Sequence, residues 1–71
     1  MNTQYTKQAR QVVANAEKSP NEIIKVEGRE AFVWFDSYWF QFCVGNHGYT
    51  EHYRTAAGAA EALDTEWTTQ Q

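Results

Sequence analysis

Between Ala31 and Arg54 the chain reads AFVWFDSYWFQFCVGNHGYTEHYR, and this stretch limits what the rest can fold into. Aromatic and β-branched residues at this density suit a pleated sheet, whose side chains must alternate between two faces. The stretch holds most of the aromatic residues, two of the three tryptophans, the only cysteine and both histidines. The flanking segments carry helical periodicity and are expected to cover one of those faces.

Four short strands are expected, over residues 23–27, 30–35, 38–44 and 49–54. Gly28-Arg29 suits a type II′ hairpin turn, with glycine in the first central place. Asp36-Ser37 makes a second two-residue turn, and Gly45-Asn46-His47-Gly48 a loop of residues that tolerate positive φ. Turning at Asp36-Ser37 sets Phe35 opposite Tyr38, Trp34 opposite Trp39, Val33 opposite Phe40 and Ala31 opposite Phe42. One face then carries Ala31, Val33, Phe35, Tyr38, Phe40 and Phe42, joined by Ile24 and Val26, and is core. The other carries Phe32, Trp34, Trp39 and Gln41. Closing the last hairpin at 45–48 sets His52 beside Gln41 and Arg54 beside Trp39.

From Thr3 to Lys18, Tyr5, Ala9, Val12, Val13 and Ala16 recur at spacings of three and four, which predicts an amphipathic helix. Thr3 can cap its start, and Lys18 suits the negative end of its dipole. Ser19-Pro20 stops it. A second helix is expected over 56–67, capped by Thr55, with Ala56, Ala60, Leu63 and Trp67 inward and Glu61, Asp64 and Glu66 in solvent. Thr68 to Gln71 are expected to fray. The fold class is therefore α+β: a two-layer α-β-β-β-β-α chain, with an antiparallel meander sheet and both helices on one face.

Seventy-one residues make one domain, near the size at which a single core is marginal. No apolar run is long enough to span a membrane, and MNTQYTKQAR has no apolar core of a secretory signal. One cysteine forms no internal disulfide, which fits the cytoplasm. The net charge of −3 is unevenly placed. Residues 1–18 carry Lys7, Arg10 and Lys18 against Glu17, whereas residues 55–71 carry only Glu61, Asp64 and Glu66. Duplex nucleic acid is therefore disfavoured, because phosphate binding draws its affinity from basic patches.

The order of elements resembles that of double-stranded RNA-binding domains across residues 3 to 67. Such domains grip phosphates with lysines that open the last helix. Here that position reads Arg54-Thr55-Ala56-Ala57-Gly58, so the likeness carries topology without the RNA-binding residues. In general character, as a compact, acidic, aromatic-rich domain without a catalytic motif, the chain resembles small phage-encoded inhibitors of the anti-CRISPR kind. That resemblance implies occlusion of a larger complex without chemistry.

No catalytic, cofactor or metal site is expected. Cys43, His47, His52 and Glu51 match no standard zinc spacing. A lone strand cysteine is more often a packed small hydrophobe than a nucleophile, and no orienting third residue is evident. The Gly45–Gly48 loop is read as a hairpin rather than an anion cradle, and Glu27 and Glu30 as solvated. What remains is an aromatic patch where a solvated face should be polar: Phe32, Trp34, Trp39, Gln41, His52 and Arg54. It includes a direct Trp34–Trp39 pair, with Arg54 over Trp39. The patch steadies a small sheet, or lies beneath Trp67 and the tail, or binds a partner. Tryptophan and arginine are typical hot-spot residues, which makes another protein or protein complex the expected partner. A second copy of the chain, sheet face to sheet face, is one version of this. Single-stranded nucleic acid stacking on the same rings is the alternative.

Overall fold

A computed structural model describes residues 3–46 and 48–69. The chain forms helix α1 (Thr3–Lys18), strands β1 (Phe32–Asp36), β2 (Gln41–Asn46) and β3 (Tyr49–Tyr53), and helix α2 (Ala56–Thr69). The strands form one antiparallel sheet in the order β1-β2-β3. Both helices pack against the sheet and against each other.

The expected face of α1 is buried at Ala9, Val12, Val13 and Ala16. The side chains of Thr3 and Tyr5, expected to cap and extend it, lie outside the described part. The helix stops where Ser19 N–H is shared between the carbonyls of Asn15 and Ala16, at 3.1 and 3.2 Å. Asn21 then takes φ 68, a left-handed conformation that asparagine tolerates, and turns the chain back along the sheet.

Among the described residues three strands form rather than four. Residues 23–27 do not make a strand. They touch β1 through a single bridge, Ile24 with Val33, whose two N–H···O bonds measure 2.8 and 3.2 Å. The turn chemistry explains the loss. Arg29 N–H donates to the Val26 carbonyl at 3.0 Å, and Gly28 at φ 85 occupies the second central place of that turn. A type II turn of this kind splays its flanks, so pairing does not run down to it. The Ala31 carbonyl serves α2 instead of a ladder, accepting from Trp67 Nε1–H at 3.2 Å.

The second hairpin is wider than expected. Phe35 lies opposite Phe42, Trp34 opposite Cys43 and Asp36 opposite Gln41, leaving residues 37–40 as a four-residue turn. Asp36 sets that length, because its Oδ1 accepts from the backbone N–H groups of Tyr38 at 2.9 Å and Trp39 at 3.2 Å. Such a local side-chain bond outcompetes a tight two-residue turn. The third hairpin is narrower than expected, with Asn46 opposite Tyr49 and Cys43 opposite His52. His47 lies outside the described residues.

Both shifts are by even numbers of residues, so the assignment of strand residues to faces survives. Val33, Phe42 and Val44 are buried beneath the helices, with Phe35 packed at their margin. Phe35 and Phe42 rings lie 4.8 Å apart. Tyr38 and Phe40, expected in the core, are instead in the turn and exposed.

Thr55 caps α2 as expected, its Oγ1 accepting from Gly58 N–H at 3.0 Å. The buried stripe is Ala59, Ala60, Leu63 and Trp67, and Ala56 is exposed rather than inward. The helix runs on to Thr69 instead of fraying from Thr68; Gln70 and Gln71 lie outside the described residues. Alanines at the contact keep α2 slim enough for Leu63 and Trp67 to reach the sheet.

Candidate functional site

The six expected patch residues do not form one surface. Phe32, Trp34, Gln41 and His52 lie on the outer sheet face. Trp39 is in the β1–β2 turn and Arg54 lies beyond the end of β3. The Trp34–Trp39 pair does not exist, since Trp34 faces Cys43 across the strands. Nor, among the described residues, does Arg54 stack on Trp39; the ring against Trp39 is that of Tyr38, edge-on at 4.9 Å.

On the outer face Phe32 and Trp34 stack at 6.0 Å, and both are half-buried. Phe32 covers Gly45 on the neighbouring strand, where an added Cβ would stand only 2.5 Å from the ring. Lys25 Nζ reaches within 5.9 Å of the same ring. Gln41 Nε2 and His52 Nδ1 approach to 3.4 Å, so the expected neighbours meet diagonally although the register does not pair them. Phe32 is thus occupied in covering the sheet, Trp34 is half-buried beside it, and His52 is exposed.

The exposed half is the turn. Tyr38, Trp39 and Phe40 are 78%, 65% and 73% exposed, three consecutive large aromatics in solvent. The turn under them is braced from two sides. Asp36 holds the amides of Tyr38 and Trp39. From the α1 side, Asn21 Nδ2–H donates to Ser37 Oγ at 2.9 Å, while Ser37 N–H donates to Asn21 Oδ1 at 3.3 Å. Asn21 N–H also donates to the Phe35 carbonyl at 2.7 Å. Phe40 ends the turn at φ 53, a left-handed conformation usually left to glycine or asparagine. Strict alternation, carried through the turn, hides Tyr38 and Phe40 from a sequence reading. The signal that reveals them is Asp36 followed by Ser37, a side chain placed to bond the amides beyond it.

Cys43 is buried and directly paired with His52, contrary to the expected register. Burial, and then the Asp36 carboxylate, push its thiol upward, away from the thiolate a nucleophile needs. Among the described residues no three His, Cys, Asp or Glu side chains converge to hold a metal ion. Next to the Gly45–Gly48 segment, Glu66 acts as a clamp: one oxygen accepts from Asn46 Nδ2–H and the other from Tyr49 O–H, both at 2.7 Å. Glu66 is therefore not the solvated acid expected. Among the described residues no helix is long and apolar enough to cross a membrane. No family model, curated protein or solved structure matches the chain.

Proposed function

We propose that the chain is a non-enzymatic protein-binding module that docks through the β1–β2 turn, with Tyr38, Trp39 and Phe40 as anchors. Trp34, Gln41, His52 and Arg54 flank the contact. The observation that carries this reading is the exposure of three adjacent rings on a turn fixed by Asp36 and Asn21. A turn whose backbone is fixed before binding loses little entropy on docking, and tryptophan and tyrosine dominate interface hot spots. A knob of this kind fits an apolar pocket in a larger complex, the occluding mode that small phage-encoded inhibitors use. Single-stranded nucleic acid could stack on the same rings, but the net charge of −3 opposes a phosphate backbone.

A photo-crosslinking amino acid at position 39, activated in cells that contain the natural partner, tests the reading. The expected product is a discrete protein adduct whose formation tolerates added salt and disappears in Tyr38→Ser/Phe40→Asn. An adduct with nucleic acid, or adduct formation indifferent to the flanking substitutions, overturns it. The purified binding pair should then lose about 2 kcal/mol or more on Trp39→Ala.

A further inference from the structure

The two edges of the sheet are unequal. Residues 21–24 cover the β1 edge, bonding to the backbone of Phe35 and Val33. The β3 edge has no strand beyond it among the described residues, and four of its five residues are exposed. An open edge offers unpaired N–H and C=O groups to any extended chain.

The register places Tyr49, Glu51 and Tyr53 on the helix side of β3, opposite Asn46, Val44 and Phe42. There Tyr53, Glu61, Thr65 and Glu66 help to line a groove of about 330 Å³ between β3 and α2. Its field is negative. The Tyr49 phenol is pushed up first by its hydrogen bond to Glu66, and that of Tyr53 first by burial, with the Glu51 and Glu66 charges acting on both.

This charge decides between occupants. If β3 paired along its whole length with β3 of a second copy, Tyr49 would meet Tyr53 and Glu51 would face Glu51. Like charges directly opposed destabilise such a pair. A strand carrying lysine or arginine at alternate positions would instead direct its charges at Glu51, Glu61 and Glu66, while its backbone completed the ladder. We propose that the β3 edge and its adjoining groove receive an extended basic segment of another protein as an added strand. This site is separate from the aromatic turn and does not depend on the function proposed for it.

The test uses the intact chain and two synthetic seven-residue peptides, one alternating valine with lysine and the other valine with glutamate. Calorimetry is expected to show binding of the lysine peptide alone. Glu51→Gln/Glu61→Gln should weaken it roughly tenfold. N-methylation of the peptide at alternate amides should abolish binding from one of the two possible registers only, because only one set of amides faces β3. Hydrogen exchange of the β3 amides should slow in the complex. Absence of binding, equal binding of the glutamate peptide, indifference to both N-methylated sets, or loss of binding on Trp39→Ala with β3 exchange unchanged would overturn the proposal.

Discussion

Phe40 is the residue whose presence folding does least to explain. It is 73% exposed, so it contributes little burial, and its φ of 53 is costly for a residue with a bulky side chain. The left-handed region costs an L-residue roughly 1–2 kcal/mol, and asparagine tolerates it through local bonding. Phe40→Asn is therefore expected to stabilise the fold by about 1 kcal/mol, seen as a higher denaturation midpoint with an unchanged slope. The same variant should weaken partner binding, the opposition expected where local strain serves a contact surface. If Phe40→Asn destabilises the chain, the ring has a packing role that its exposure does not suggest. Most helix residues elsewhere are legible from spacing, although Ala56, placed inward by the same spacing, is exposed. Ala9, Val12, Val13, Ala16, Ala60, Leu63 and Trp67 follow helical periodicity and are all buried. Tyr38 and Phe40 defeat the equivalent rule for strands because alternation says nothing about where a strand stops.

At the scale of elements, both helices and the division of strand residues between faces can be read from the sequence. The pairing register cannot, because single side chains at the turns decide it. Gly28-Arg29 reads as a turn with Gly28 in the first central place, whereas Gly28 occupies the second central place of a turn that starts at Val26. Asp36 widens its hairpin by bonding two amides, and the Asn21–Ser37 pair then holds that width from outside. Asp36→Ala should free those amides, lower stability by about 1 kcal/mol and speed hydrogen exchange at Tyr38 and Trp39. Unchanged exchange would mean that Asn21 alone fixes the turn. The β2–β3 hairpin depends on a different device, the Glu66 clamp on Asn46 and Tyr49. The Tyr49 phenol is raised above its ordinary value of 10.0, chiefly by that bond. Its native form thus holds the proton more tightly than the unfolded chain does. The contribution is complete below pH 10 and is lost as pH rises through the raised value. Tyr49→Phe should therefore flatten the alkaline fall in stability. It should not abolish that fall, because Tyr53 and Cys43 are also raised and titrate in the same direction.

For the whole molecule, the three tryptophans separate what holds the fold from what faces a partner. Trp67 is 1% exposed, donates to the Ala31 carbonyl, and lies under the Arg29 guanidinium at 5.1 Å. It thereby ties α2 to Arg29 and Ala31, in the irregular segment that leads into β1. A domain of this length has roughly 4–11 kcal/mol of stability in total. Losing a buried tryptophan costs about 3–5 kcal/mol, so Trp67→Ala should remove a large share of that stability and give the lowest denaturation midpoint of the three truncations. Trp67→Phe keeps most of the packing but removes the indole N–H, and should fold with a lowered midpoint. Trp34 is half-buried over the outer face, and its truncation should fall between these extremes. Trp39→Ala should leave thermal stability within about 0.5 kcal/mol, as for surface substitutions generally. Acrylamide quenching of single-tryptophan variants provides an independent ranking: Trp39 most accessible, Trp34 intermediate and Trp67 protected. Agreement of both measurements would assign Trp39 to the surface and Trp67 to the core. If Trp39→Ala unfolds the chain, the aromatic turn is part of the stabilising structure, and the division between core and contact surface fails for the whole domain.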